Sequence, residues 1–545
     1  MDGAGIHAAE LVALLLLVLV VAFAVLAQRV KTPYPIVLVI AGLALSFLPA
    51  IPKIQLNPEV VFLVVLPPLL YNGAWKTSWR DFQRNFVSIF MLAVGLVAFT
   101  AAGVAYAAPW VFAGFDWRLG FVLGAVLSTT DAIAATAIAN RLGLPKRVVD
   151  VLEGESLVND ATGLVALAFA VTMVLTGERP TVGQGFLRLS YLILVGIGVG
   201  LVIGLVVEWF ERRLDDGPIE ITVSIVVPYV VYLSAESAHA SGVMAVIACG
   251  LYLSRKSSEF FSPTVRIQAL AVWDSLTFVL NGLVFMAIGL QLPYVVRELK
   301  SYKMSGLILN GLALSVILIL LRLIWMYPSA YIANLIRRKV LGQKVGMPPP
   351  RQIFIAGWTG MRGVVALAAA ISLPETLENG AAFPQRDMII FLTFAVIIVT
   401  LVGQGLTLPP LIRALGLASA GASHEEEHKA RQKILRAALA RLNQERKKDS
   451  EAFSEVYDAL VRMYETKIEK FSDGDAPETR RARDHLEKHS ELLREMVRVE
   501  RRTAVHLRNE GEINDELLRQ LERELDLTEE RLTIAHRDPK RVEEA

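Results

Sequence analysis

"GESLVNDATG" (Gly154–Gly163) heads a stretch whose next fourteen residues, up to Gly177, are mostly apolar. A glutamate, a serine, an asparagine and an aspartate thus open what otherwise reads as a membrane span. An ionised side chain at the centre of a hydrocarbon layer costs about 2.5–3.5 kcal/mol even on lenient insertion scales, so intramembrane carboxylates mark sites. At about 100° per residue, Glu155, Asn159, Ser156 and Asp160 share one helix face about 140° wide, and Thr162 and Gly163 continue it. Two carboxylates, a hydroxyl and an amide converging there supply oxygens suited to a hard cation such as Na⁺. The alternative is a polar network between helices with no ligand. Four such groups on one face favour the site.

Composition agrees with a membrane setting. The chain has 545 residues, 54% of them hydrophobic, and a mean hydropathy of +0.47, above the average for soluble domains. From Gly421 onward lie 26 Lys/Arg and 30 Asp/Glu, more than half of all charged residues in under a quarter of the chain. The first 420 residues are correspondingly more apolar. A net charge of +2 gives no reason to expect a nucleic-acid partner. The single Cys249 excludes a disulfide framework and a thiolate metal site, and its apolar surroundings make it a small buried hydrophobe. No catalytic, metal-ligand or phosphate-loop motif appears in the charged C-terminal stretch, and neither an enzyme nor a cofactor is expected.

Windows of roughly 20 apolar residues give thirteen candidate spans, near 8–28, 33–50, 57–75, 85–110, 117–141, 149–176, 187–210, 219–235, 239–254, 268–292, 305–331, 350–373 and 388–415. "ELVALLLLVLVVAFAVLA" is long enough to span and has no basic stretch before it, unlike a cleaved signal. "SAESAHASG" leaves little room for a loop between the eighth and ninth spans. With the N-terminus outside, the inward loops carry 18 Lys/Arg (among them Lys76, Arg84, Arg147, Arg337 and Lys344) and the outward loops 8 (Lys53, Arg118, Arg179, Arg188, Arg297, Lys300, Lys303 and Arg386). The positive-inside rule supports that orientation and a cytoplasmic tail. Residues 1–418 therefore form the membrane domain and 419–545 a charged tail. The tail reads as a helical hairpin with i, i+4 charge pairs, broken by "SDGDAPE" (472–478) and resuming near Thr479. Its simplest role is to keep subunits together or to pack on the membrane domain; regulation of transport is the alternative.

Two further stretches interrupt the apolar spans. "LSTTDAIAATAIANRLGLP" (127–145) places Asp131 after Thr129 and Thr130, where small and hydroxylated residues can open the backbone. "IAGWTGMRGVVALAAAISLP" (355–374) places Arg362 between Gly360 and Gly363. Breaks in two corresponding spans, seven apart, are the mark of an inverted repeat whose discontinuous helices cross near the midplane. Asp131 could equally cap a re-entrant turn. Arg362 keeps its charge and needs a partner, for which Glu155 is the best candidate. Glu236, His239, Asp274, Asn281, Arg322 and the Pro67–Pro68 kink of "LVVLPPLLYNGA" read as structural, with Arg322 snorkelling or paired to Asp274 or Glu236.

Taken together, "LPPLLYNGAW" (66–75), "TTDAIAATAIANRLGLP" (129–145), "EGESLVNDATGLVA" (153–166), "SGVMAVIACGLYL" (241–253), "WDSLTFVLNGLVFMAIGLQL" (273–292), "RLIWMYP" (322–328), "GWTGMRGVVALAAAISLP" (357–374) and "GQGLTLPPLIRALGL" (403–417) resemble the first monovalent cation–proton antiporter family, the NhaP-type bacterial antiporters and animal sodium/proton exchangers. The resemblance covers the membrane region in order and leaves out the tail. It implies an all-α polytopic membrane protein of about thirteen transmembrane helices in two inverted repeats with crossed broken helices. It also implies a homodimer in the cell membrane, with a core that moves against a dimerisation domain. It assigns the cation and proton to Asp160, beside Asn159, with Ser156 and the Thr130–Asp131 pair completing the Na⁺ site. It pairs Glu155 with Arg362. Relatives usually carry a proline beside the threonine–aspartate; "LSTTDAI" has none.

A single aspartate can exchange two cations by binding them competitively. The neutral Asn159, where a second aspartate could carry a second proton, argues for one H⁺ per Na⁺ (or Li⁺) and electroneutral exchange serving pH and sodium homeostasis. Potassium/proton exchange on the same fold is the alternative. A cation channel fits less well, because it needs a continuous pore rather than crossed broken helices.

Overall fold

The computed structural model describes residues 3–48, 56–177, 182–297, 299, 303–343, 346–377, 380–418, 422–448, 453–470, 477–510, 512 and 514–536. The expected loop charges Lys53, Arg179, Lys300 and Lys344, and residues 472–476 of the tail break, lie outside them. The chain folds as two compact units, Met1–Ser419 and Ala420–Ala545.

The first unit is helical throughout, and the only β feature among the described residues is an isolated bridge, Thr376 to Ala382. Its helices are α1 (Gly3–Arg29), α2 (Tyr34–Leu45), α3 (Pro58–Lys76), α4 (Trp79–Val111), α5 (Trp117–Val126), α6 (Ile133–Arg141), α7 (Lys146–Thr176), α8 (Val182–Glu211), α9 (Gly217–Ser237), α10 (Gly242–Phe260), α11 (Pro263–Arg297), α12 (Met304–Lys339), α13 (Pro350–Trp358), α14 (Val364–Ile371) and α15 (Arg386–Ala414). Among the described residues, eight helices are long and apolar enough to cross a membrane: α3, α4, α7, α8, α9, α11, α12 and α15. The pairs α5/α6 and α13/α14 occupy the two windows in which the sequence carries polar or glycine breaks. The α5/α6 break is complete without a proline. The eighth and ninth windows separate as α9 and α10. The turn between them places the exposed His239 at φ +52, and Ser241 caps α10 by accepting from Met244 N at 3.2 Å.

Glycine sets how closely the deepest helices approach. A Cβ on Gly42 of α2 would lie 2.4 Å from Met286 O of α11, and one on Gly289 2.4 Å from Val39 O. Only a pair of glycines lets these backbones touch. The core of the unit includes Ile36, Leu38, Val39, Leu123, Ile288, Ile389 and Leu392, each fully buried; Cys249 is buried, as its apolar setting suggests.

Among the described residues three helices contain a π-helical turn, Val61–Val65 in α3, Met91–Leu96 in α4 and Val399–Gln404 in α15. Such turns release backbone carbonyls from the regular ladder and recur at functional sites. Here the side chains around them take up what is released. Trp325 Nε1 donates to Met91 O at 3.0 Å and Thr162 Oγ1 to Ala93 O at 2.5 Å. The first π turn runs directly into Pro67–Pro68, which have no N–H to give. The carbonyl four residues before Pro68, Val64 O, accepts instead from the Tyr229 hydroxyl at 3.1 Å.

Among its described residues the second unit holds four helices rather than a hairpin: α16 (Ala422–Arg446), α17 (Ser454–Lys470), α18 (Pro477–Asn509) and α19 (Asp515–His536). Arg446 pairs with Asp458 at 2.6 Å across α16 and α17. Arg501 of α18 holds Asp526 and Glu529 of α19 at 2.7 and 2.8 Å, over a small apolar seam that buries Val497, Ala504 and Leu518. The expected hairpin missed two divisions, between Arg446 and Ser454 and between Asn509 and Asp515, since the charge pattern continues on both sides of each. Asn514 marks the restart by capping α19, accepting from Leu517 N at 2.8 Å.

Candidate functional site

The two breaks cross each other. Asp131 N donates to Met361 O at 2.8 Å, which links the gap between α5 and α6 to the gap between α13 and α14. Each gap exposes the end groups of its half-helices, and the structure meets them with charges of the opposite sign. At the C-terminal end of α5, Leu127 O accepts from Arg362 Nε at 2.9 Å, and Arg362 also bonds Gly360 O. At the C-terminal end of α13, Gly357 O and Ala356 O accept from Arg322 at 3.1 and 3.2 Å. At the N-terminal end of α6, Asp131 Oδ1 accepts from Ile133 N at 2.8 Å. Its other oxygen faces Gly363, the cap of α14. Asp131 therefore sits between the positive ends of two half-helices.

That position depends on Gly363, where a Cβ would lie 2.5 Å from both Asp131 Cβ and Oδ2. Gly363→Ala should push Asp131 out of place. Forcing a methyl into a filled site costs about 1–3 kcal/mol, so the exchange rate is expected to drop about tenfold or more. Flux in reconstituted vesicles, with membrane insertion checked in parallel, measures this.

The residues of "GESLVNDATG" face the α5/α6 gap. Ser156 Oγ donates to Thr130 O at 2.9 Å and accepts from Ala132 N at 3.3 Å. Asn159 Nδ2 donates to Thr130 Oγ1 at 2.5 Å, and that hydroxyl donates to Glu155 Oε1 at 3.2 Å. Asn159 Oδ1 is buried without a partner. Thr130, Asp131, Ser156 and Asp160 line one cavity of about 360 Å³, with Tyr34, Asn72, Asn281, Glu153 and Lys76 also in its wall. Asp160 is 8% exposed and shares the cavity wall with Asp131. Among the described residues no cation or hydrogen-bond donor pairs with the Asp160 carboxylate. The sequence-derived residues Thr130, Asp131, Glu155, Ser156, Asn159 and Asp160 are thus assembled in one place.

One expected contact is corrected. Glu155 pairs with Arg322, not with Arg362: Arg322 Nη1 reaches Glu155 Oε1 at 2.5 Å and Nη2 reaches Oε2 at 2.8 Å, with the two side chains 2% and 1% exposed. The Arg362 guanidinium bonds carbonyls instead. The reason is helical phase and depth. Arg322 lies at the middle of the 36-residue α12 and faces α13 and Glu155 together. Arg322 consequently neither snorkels nor meets Asp274 or Glu236. Asp274 is held by Lys76 at 2.6 Å, and Glu236 accepts from Gly242 N at 3.3 Å. A charge at the centre of the longest apolar helix was the signal available in the sequence. Sequence reasoning also passed over Thr400, whose hydroxyl accepts from Arg362 N at 3.2 Å and steadies the second break.

Comparison with known proteins gives the assembly a context. A family model described as "sodium/hydrogen exchanger, transmembrane" matches residues 14–414. An uncharacterised sodium/proton exchanger of Mycobacterium tuberculosis is 33% identical over 523 residues, covering 94% of each chain. The antiporter ApNhaP of Aphanothece halophytica, named for Na⁺/H⁺ exchange, is 30% identical over 500 residues, 89% of this chain and 90% of its own. A sodium, potassium, lithium and rubidium/proton antiporter of Bacillus subtilis is 29% identical over 500 residues, 89% of this chain and 72% of its own. In fold, the chain resembles the sodium/proton antiporter MjNhaP1 of Methanocaldococcus jannaschii, with a TM-score of 0.57 at 20% identity over 76% of this chain and all of that one. The match to the family model spans almost all of the helical unit that carries the crossed breaks, and this chain belongs to the sodium/hydrogen exchanger family.

Proposed function

We propose that this chain is a secondary antiporter that exchanges Na⁺ or Li⁺ for H⁺, one for one and without net charge movement, across the cell membrane. The observation that carries the reading is the Asp160 carboxylate, buried against a cavity with no cation among the described residues beside it. A buried, unpaired carboxylate is costly, so Asp160 is neutralised in turn by a proton or a metal cation. Asp131, Ser156 and the Thr130 carbonyl and hydroxyl supply the further oxygens, a hard donor set suited to Na⁺. Family membership and the names of the relatives support antiport.

Electroneutrality rests on how the other groups are engaged. Asn159 is neutral and its amide is spent on Thr130. Glu155 is fixed by Arg322. Asp160 is then the one carboxylate that gains and loses its countercharge, with Asp131 a constant partner capping α6. In the orientation given by the loop charges, with the N-terminus outside and the tail cytoplasmic, the Lys76–Glu153 end of the cavity opens inward. We take the protein to be a homodimer that presents this cavity alternately to the two sides.

Potassium/proton exchange is the second reading, favoured by the name of the Bacillus subtilis relative. Both are tested in vesicles holding an imposed pH gradient and a pH-sensitive dye. Na⁺ or Li⁺ should collapse the gradient at a rate unaffected by clamping the voltage with valinomycin and K⁺. A response mainly to K⁺ establishes the second reading, and flux that follows the clamp removes the one-for-one stoichiometry.

A further inference from the structure

The ends of α4, α7 and α12 nearest Lys146 bring three arginines together away from the transport cavity. Arg337 is 2% exposed. It donates through Nη2 to Ser88 Oγ at 2.8 Å, and its Nε is buried with no partner. The charges acting on it are those of Arg147 and Arg84. Arg147 in turn lies in the field of Arg84 and reaches Gly346 O at 3.4 Å. Among the described residues none of the three forms an ion pair. The acids on the neighbouring elements are engaged elsewhere: Asp81, which feels Arg84, is bonded by Lys146 at 2.7 Å, and Asp150 faces the same lysine. Three guanidinium groups, one of them buried, thus converge without a counterion. Such an arrangement lacks an anion.

Beside them lies a slot of about 60 Å³ lined by Ser88, Leu92, Arg147, Val151, Met326 and Ile353, among others. It is too small for a nucleoside. Its walls are largely apolar, which suits an amphiphile better than a free inorganic anion. Arg338 and Lys339 follow in the last turn of α12, exposed and outside the slot, and mark the level at which a membrane helix meets headgroups. Guanidinium forks match phosphate oxygens in pairs.

We propose that Arg84, Arg147 and Arg337 hold the phosphate of an anionic phospholipid, with the adjoining apolar part of that lipid in the slot. The lipid would tie together three helices, one of which, α7, carries Asp160 and another, α12, carries Arg322. Basic pockets between transmembrane helices recognise anionic headgroups in this way.

The test uses the full chain in phosphatidylcholine vesicles, with spin-labelled phosphatidylglycerol or spin-labelled phosphatidylcholine as probe. The motionally restricted fraction gives the preference for the anionic lipid. Wild type should show a clear preference, reduced about fivefold by R147Q and again by R337Q. R84Q, at an exposed position that does not threaten the fold, should lower it too, whereas R338Q at an exposed position one residue from Arg337 should leave it. Excess inorganic phosphate should not compete. No preference in wild type, an equal loss in R338Q, or displacement by inorganic phosphate would each overturn the proposal, the last by making free phosphate the ligand.

Discussion

Asp160→Asn is expected to reduce cation/proton exchange to the level of protein-free vesicles while the protein still inserts and folds. Asparagine keeps the shape and removes only the charge that a proton or metal cation must neutralise. Because no group among the described residues pairs with this carboxylate, its removal orphans nothing, and thermal stability in the absence of ligand should hold or rise. The ligand response should vanish: wild type gains about 2.7 kcal/mol at a cation concentration a hundredfold above its dissociation constant, and Asp160→Asn should gain none. Asp131→Asn separates two roles at the neighbouring position. Asparagine caps a helix about as well as aspartate, so if Asp131 only receives the Ile133 N–H, the variant transports normally. If it also binds the cation, flux falls while the fold stands. Retained exchange in a well-folded Asp160→Asn would remove Asp160 from the site altogether.

What the sequence shows of this arrangement follows from what local chemistry can encode. The apolar windows are legible because hydrocarbon demands roughly 20 apolar residues for a crossing. The breaks are legible because Thr130–Asp131 and Gly360–Arg362–Gly363 have no other reason to interrupt such windows. The shared face of Glu155, Ser156, Asn159 and Asp160 is legible because they lie within two turns of one helix. The partner of Glu155 is not. Arg322 and Arg362 both reach that depth, and the choice between them depends on how α12 and α13 pack, 167 residues beyond Glu155. The π turns are equally hidden. Val61–Val65 precedes a proline pair that hints at it, but Met91–Leu96 carries no such residue, and its carbonyls are explained only by Trp325 and Thr162. Gly363 illustrates an intermediate case. The sequence reads it as a helix breaker, whereas its decisive property is the absence of a Cβ beside Asp131.

Arg322→Gln is expected to be the most destabilising single change in the membrane unit. It leaves the Glu155 carboxylate buried and unpaired and also strips the Gly357 and Ala356 carbonyls of their donor. Removing one partner of a buried ion pair typically costs about 3–5 kcal/mol. Arg322→Lys should recover little, since an ammonium cannot make the paired contact to Glu155 and reach α13 as well. Replacing Glu155 and Arg322 together by glutamine should cost much less than the sum of the two single changes. Their coupling is expected near the top of the range of about 0.5–3 kcal/mol found for contacting residues. Glu155 and Arg362 make the informative contrast. Arg362 bonds only backbone carbonyls and Thr400, so Glu155→Gln and Arg362→Gln should combine with little coupling. Thermal unfolding midpoints of the single and double variants in the same detergent decide the matter. Strong coupling of Glu155 to Arg362, with none to Arg322, would restore the pairing expected from the sequence and exclude the one seen in the structure. The converse would make the Glu155–Arg322 pair the fixed frame that holds α7 against the second broken helix while Asp160, on the next turn of α7, changes its cation.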